Sequence, residues 1–168
     1  MREDVKEILF SEEQISDKVK ELADRISRDY KDKNLLVVGV LKGSVLYAAE
    51  LIKNITVPCE IDFMAVSSYG NSTETSGVVR ILKDLDHSIE GKDILIVEDI
   101  VDSGVTLDYL LKYLKARKAN SINITTLLNK EARRKVDIDV KYVGFEVPDE
   151  FIVGYGIDYA EKYRNLPF

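Results

Sequence analysis

Two runs in this sequence are apolar over the length of one strand: LLVVGV at Leu35 to Val40 and, after its leading aspartate, DILIV at Asp93 to Val97. A strand apolar at successive positions must be covered on both faces, which is what a parallel sheet flanked by helices provides. Helical periods fall between such runs. Ser11 and Gln14 read as a capping box, and Ile15, Val19, Leu22 and Ile26 recur at helical spacing, so a first amphipathic helix is predicted to about Tyr30. A second helix is predicted from Ser44 to Asn54 and a third from about Thr106 to Ala116. Pro58 precedes a strand in which Cys59, Ile61, Phe63 and Ala65 alternate with other residues, and VVRIL (78–82), Ile122 to Leu128 and Tyr142 to Glu146 read as further strands. The expected fold is therefore α/β, a mainly parallel twisted sheet flanked by helices, with ligands bound at the carboxyl ends of the strands.

At 168 residues, 45% apolar and 32% charged, the chain fits one domain spanning 1–168. Thirty acidic against 24 basic residues give a formal charge of -6, which opposes binding to nucleic acid or to an anionic membrane surface. Any phosphate site must then be local. Cys59 is the only cysteine, so disulfides within the chain and cysteine-rich metal sites are excluded, and His87, in a polar turn, reads as a surface residue. The amino terminus MREDVKEILF has neither a signal-peptide core nor a membrane-length apolar run, and a cytoplasmic location is expected.

The segment VEDIVDSGVTL, Val97 to Leu107, carries the most chemistry. Gly104 permits close backbone approach to an anion, Ser103 and Thr106 add hydroxyl donors, and the following helix presents its amino terminus to a phosphate. Glu98 and Asp99 can accept hydrogen bonds from two ribose hydroxyls, directly or through Mg²⁺. A plainer reading makes this a strand–turn–helix connection capped by Asp102 or Ser103. Against it, three carboxylates within five positions would repel one another without a cation or ligand. Neither GxxxxGK[ST] nor GxGxxG is present; Gly39 to Ser44 reads GVLKGS. SSYGNSTETSG (67–77) reads by composition as a long mobile loop.

VEDIVDSGVTL resembles the phosphoribosyl pyrophosphate motif of the type I phosphoribosyltransferases. Three further segments resemble the hypoxanthine-guanine branch of that family: Leu41-Lys42-Gly43-Ser44 its pyrophosphate loop, Ser68-Tyr69 the start of its catalytic flexible loop, and PDEFIVGYGIDYAEKYRNLPF its carboxyl-terminal signature. Position 105 is Val where some members carry lysine, and Phe168 stands a few residues short of many members' ends, which reads as trimming or compaction.

The resemblance implies transfer of a phosphoribosyl group to a 6-oxopurine, hypoxanthine or guanine, with Mg²⁺ as cofactor and release of pyrophosphate. It implies that Lys42, Gly43, Glu98, Asp99, Asp102, Ser103, Gly104, Val105, Thr106 and Arg164 hold phosphoribosyl pyrophosphate. Asp102 is implied as the acid–base group at the purine N7, with Ser68 and Tyr69 on the catalytic loop. Lys130, Phe151, Ile152 and Asp158 are implied around the base, Glu98, Asp99 and Asp158 around metal. A small hood formed by the termini and a homodimer or homotetramer are implied too. By residue type alone, Phe151 reads rather as a core aromatic beside Ile152 and Val153, and Lys130 as a solvated turn lysine beside Arg133 and Arg134. Asp158, Arg164 and Lys42 read as surface residues. A xanthine-preferring enzyme remains open, and a regulatory protein that binds phosphoribosyl pyrophosphate and RNA or DNA is opposed by a chain whose one basic stretch is the short turn NKEARR.

Overall fold

The apolar runs pair side by side. In the structure, a computed structural model that describes residues 1–68 and 79–168, β1 (Leu35–Leu41) lies parallel between β2 (Glu60–Ser68) and β4 (Asp93–Val101). β4 pairs parallel with β5 (Ser121–Asn129), β5 parallel with β6 (Tyr142–Glu146), and β3 (Val79–Lys83) closes the far edge antiparallel to β2. The order is β3-β2-β1-β4-β5-β6. The helices are α1 (Glu12–Asp29), α2 (Val45–Asn54) and α3 (Val105–Lys115).

Side chains alternate between two cores because successive strand residues point to opposite faces. Leu35, Val37, Leu95 and Val97 pack with Val19, Leu22 and Ile26 of α1 and Tyr47, Ala48 and Leu51 of α2. Leu36, Val38, Val40, Ile94 and Ile96 pack on the other face with Leu107, Leu110 and Leu114 of α3. Each fully buried aliphatic side chain contributes about 1.5–3 kcal/mol relative to exposure, so the central strands hold helices on both faces at once. The capping box is present: Gln14 N–H donates to Ser11 Oγ at 3.1 Å and Ser11 N–H to Gln14 Oε1 at 2.8 Å.

Of the alternating set, Cys59 and Phe63 pack against the first core while Ile61 is 49% exposed, and Met64 on the opposite face is fully buried. Two expectations change in detail. β2 continues through Ser67 and Ser68, which the composition places in a loop, and the rest of that loop, 69–78, lies outside the described residues. β4 does not stop at its acids but pairs with β5 as far as Val101 opposite Asn129. His87 is exposed.

At the amino ends of the strands Asp93 is 5% exposed, and its carboxylate accepts from Ser121 Oγ (2.7 Å), Asn120 Nδ2 (2.8 Å) and Asn34 N–H (3.2 Å). These bonds, the Ser121 hydroxyl first, hold the carboxyl below its ordinary value. A carboxylate with a depressed native pKa stabilises the fold above its unfolded pKa and ceases to as pH falls through the native one. Asp93→Ala is expected to cost about 1–3 kcal/mol in urea unfolding at pH 7, and the gap to the parent protein should narrow steadily below about pH 4.

Candidate active site

Strand order reverses between β1 and β4, so the connections leaving their carboxyl ends diverge and open a crevice. Both motif loops start there. A cavity of about 240 Å³ is lined by Leu41, which ends β1, by Gly43 just after it, and by Glu98, Asp99, Ile100, Asp102, Ser103, Gly104 and Thr106. The Leu41–Lys42 peptide bond is cis. Ser44 N–H donates to Val40 O at 3.3 Å and Val45 N–H to Lys42 O at 3.1 Å. The amides of Ser44 and Val45 are thus engaged within the turn.

Gly43 is required by contact. A Cβ built on it would lie 2.0 Å from Asp99 Oδ2, and a Cβ built on Gly156 would lie 2.0 Å from Gly43 O. Glycine's bare α-carbon thus lets the β1 turn meet the β4 carboxylate on one side and the carboxyl-terminal segment on the other. Burial, then the neighbouring Asp99 charge, holds the Glu98 carboxyl well above its ordinary value. Burial raises Asp99 as well, partly offset by hydrogen bonds such as that from Ile100 N–H at 2.7 Å. Two adjacent acids raised in this way lack positive charge, and a hard dication with oxygen ligands would supply it. Among the described residues no three His, Cys, Asp or Glu side chains gather into a metal cluster.

The loop after β4 is held by its backbone. Arg134 Nε donates to Asp102 O at 3.2 Å and Arg134 Nη2 to Asn129 Oδ1 at 2.5 Å, while Asn129 Nδ2 donates to the Glu146 carboxylate at 3.0 Å. Lys135 N–H donates to Ser103 O at 2.9 Å, and Lys130 N–H to Val101 O at 3.0 Å. Asp102 is left with a buried Oδ1 that has no hydrogen-bond partner among the described residues. The capping alternative does not hold: the N-cap of α3 is Gly104 at φ 81, with no side-chain cap, and Ser103 Oγ accepts only from Val105 N–H at 3.4 Å. A Cβ on Gly104 would meet Ile138 Cδ1 at 2.9 Å, so this left-handed turn packs against the second core. Val105 and Thr106, the first two residues of α3, are half-buried.

Lys130 is 6% exposed, and its Nζ donates to Glu150 O at 2.8 Å, so it is not the solvated lysine its neighbours suggest. Phe151 is 76% exposed, its ring edge-on to Tyr159 at 5.6 Å, so it is not a core aromatic either. Ile152 is half-buried against the first core. Phe151 and Ile152 border a larger apolar cavity of about 400 Å³ between the first ten residues and the carboxyl-terminal segment, which includes none of the loop acids. Arg164 is mostly buried rather than a surface residue: Nη1 donates to Gly156 O at 2.6 Å, Nη2 lies 3.2 Å from Asp158 Oδ1, and Nε is buried without a partner. Lys42 remains exposed. Ser68 ends β2, and Tyr69 lies outside the described residues. Arg134 and Asn129 were not singled out from sequence; Arg134 stands in a basic turn whose residues look interchangeable until the fold turns one of them toward Asp102.

A family model described as "Phosphoribosyl transferase domain" matches residues 6–160. The chain belongs to this family. It is 58% identical over 168 residues to a hypoxanthine-guanine phosphoribosyltransferase of Bacillus subtilis, covering 100% of this chain and 93% of that one. A crystal structure of a hypoxanthine phosphoribosyltransferase from Staphylococcus aureus superposes with a TM-score of 0.97 at 53% identity, covering 100% of this chain and 91% of that chain. A hypoxanthine-guanine phosphoribosyltransferase structure from Bacillus anthracis matches with a TM-score of 0.93 at 55% identity, over 98% of this chain and 96% of that chain. The expected fold, a mainly parallel sheet of the type I phosphoribosyltransferases, is thus the observed one.

The contact between Gly43 and Asp99 is open to a direct test. A methyl group added at Gly43 must push the carboxylate aside, and overpacking of this kind costs about 1–3 kcal/mol. Gly43→Ala is expected to lower stability in chemical unfolding by that amount. Combined with Asp99→Ala the loss should largely disappear, giving a strongly non-additive double-mutant cycle.

Proposed function

We propose that this chain is a hypoxanthine-guanine phosphoribosyltransferase. It transfers the 5-phosphoribosyl group of phosphoribosyl pyrophosphate to hypoxanthine and guanine, giving IMP and GMP and releasing pyrophosphate. The observation that carries the reading is the buried, unpartnered Oδ1 of Asp102, held in a cavity walled by a phosphate-type turn and two acids. Buried polar atoms in folded proteins nearly always have partners, and a ligand is a common reason when one does not. The names of the relatives agree with this reading.

Each residue then has a task. Ser103, Gly104, Val105 and Thr106, at the amino end of α3, take the 5-phosphate on backbone amides and hydroxyls, and the helix dipole favours the charge. Glu98 and Asp99 hold the ribose hydroxyls and Mg²⁺; when bound, the ion neutralises charge on the departing pyrophosphate. Lys42, Gly43 and Arg164 face the pyrophosphate, with Asp158 fixing Arg164 through their ion pair. Phe151 presents an open ring for stacking, worth about 1–3 kcal/mol per base. Lys130, its Nζ tied to Glu150 O, donates to the 6-oxo group; ammonium has no acceptor, so a 6-amino purine is refused. Asp102 takes the proton that leaves N7 as the bond to C1 forms at N9. Ser68 and Tyr69 begin the segment that excludes water from the positively charged ribose in the transition state.

Residues 1–168 form one domain in this reading, with the termini as a small hood. Tyr163 of the carboxyl-terminal segment donates to Asp4 at 3.1 Å, and Arg2 lies over the Phe168 ring at 5.2 Å, contacts that support it. No helix among the described residues is long and apolar enough to cross a membrane. The proposed setting is the cytoplasm, as a homodimer or homotetramer.

Incubation with Mg²⁺, phosphoribosyl pyrophosphate and a mixture of bases should yield IMP and GMP by mass; nucleotides of other bases alone would overturn the assignment. Asn keeps the size of Asp102 but cannot take a proton. Asp102→Asn is therefore expected to lower kcat by about 10²–10⁴-fold while leaving affinity for phosphoribosyl pyrophosphate nearly intact. Loss of cosubstrate binding with an unchanged single-turnover rate at saturation would make Asp102 a loop support only.

A further inference from the structure

The two cations read above as facing pyrophosphate are already bridged by one carboxylate. Glu161 Oε2 lies 3.0 Å from Lys42 Nζ, and Glu161 Oε1 lies 3.6 Å from Arg164 Nη2. Asp158 closes the ring: its Oδ1 pairs with Arg164 at 3.2 Å and its Oδ2 accepts from Glu161 N–H at 2.8 Å. Two carboxylates thus neutralise two cations. Ala160 and Glu161 stand at φ 51 and 64, the left-handed pair of a two-residue hairpin turn that Tyr159 and Lys162 close with reciprocal backbone hydrogen bonds of 3.0 Å. This turn carries the Glu161 side chain to the two cations.

We infer that Glu161 is an internal competitor of pyrophosphate: its carboxylate occupies Lys42 and Arg164 in the free protein and must leave both before a diphosphate can take them. This rests on the reading of Lys42 and Arg164 as the pyrophosphate cations. Asp158 stays on Arg164, because its second oxygen is fixed by the Glu161 amide. Glu161 and Lys42 are respectively 66% and 69% exposed, so the carboxylate can swing into solvent without unpacking the fold. The competition weakens the cosubstrate and the product diphosphate by the same factor, since both use the same cations.

The test is calorimetric titration of the full chain with magnesium pyrophosphate, alongside steady-state kinetics. Removing one exposed carboxylate that contacts two cations should tighten pyrophosphate binding about two- to tenfold in Glu161→Gln. Glu161→Gly, which suits the left-handed backbone and also removes the charge, should do the same. KM for phosphoribosyl pyrophosphate should fall in both variants and KM for the base should not move. Lys42→Met should weaken pyrophosphate. Unchanged or weaker pyrophosphate binding in both Glu161 variants, with Lys42→Met still weakened, removes the role given to Glu161 and leaves the pyrophosphate site standing. If Lys42→Met is also without effect, the assignment of the site falls with it.

Discussion

Everything at the crevice depends on one close approach, the α-carbon of Gly43 against the carboxylate of Asp99. It brings the turn after β1 onto the end of β4 with no side chain between them, at the point where strand order reverses. Gly156 then rests on the other side of the same residue, against its carbonyl, and so seats the carboxyl-terminal segment over the crevice. The phosphate-type turn, the acid pair and Arg164 are neighbours because backbone, rather than side chain, forms the contact.

The acids show why that proximity is useful. Glu98 and Asp99 are both raised by burial, a cost that a structural role would not require, and Asp102 keeps a buried oxygen without a partner. Their surroundings are nevertheless firmly built: Arg134, Asn129 and Glu146 form a chain of hydrogen bonds ending on the Asp102 carbonyl. Rigid backbone with unsatisfied side chains is the arrangement expected of a preorganised site, where the ligand completes the bonding.

Much of this was legible in the sequence, and for identifiable reasons. LLVVGV and DILIV have the length and unbroken apolar character that suit strands covered on both faces, and Ser11 with Gln14 marks where α1 begins. VEDIVDSGVTL concentrates too much negative charge at one strand end to be inert. Local pattern could not show tertiary facing. Ile61 and Met64 are both apolar and differ only in whether a helix covers them; Lys130 and Arg133 stand three apart in one basic turn, yet one is buried under Glu150 and the other pairs with Asp149 at the surface. Glu161 carried no signal at all, because its partner Lys42 lies 119 positions away.

The two cores meet only through the strands that separate them. Ile138 and Leu107, of the α3 side, touch or follow the phosphate turn, whereas Leu127, Leu128 and Ile152 belong to the side of α1 and α2, beneath the segment that carries Phe151. Interiors packed at crystal density pass on changes in volume to what they support. A substitution in one core therefore acts on the turn after β4, and one in the other on the segment that carries Phe151. The two walls of the crevice can shift independently through changes that lie in neither.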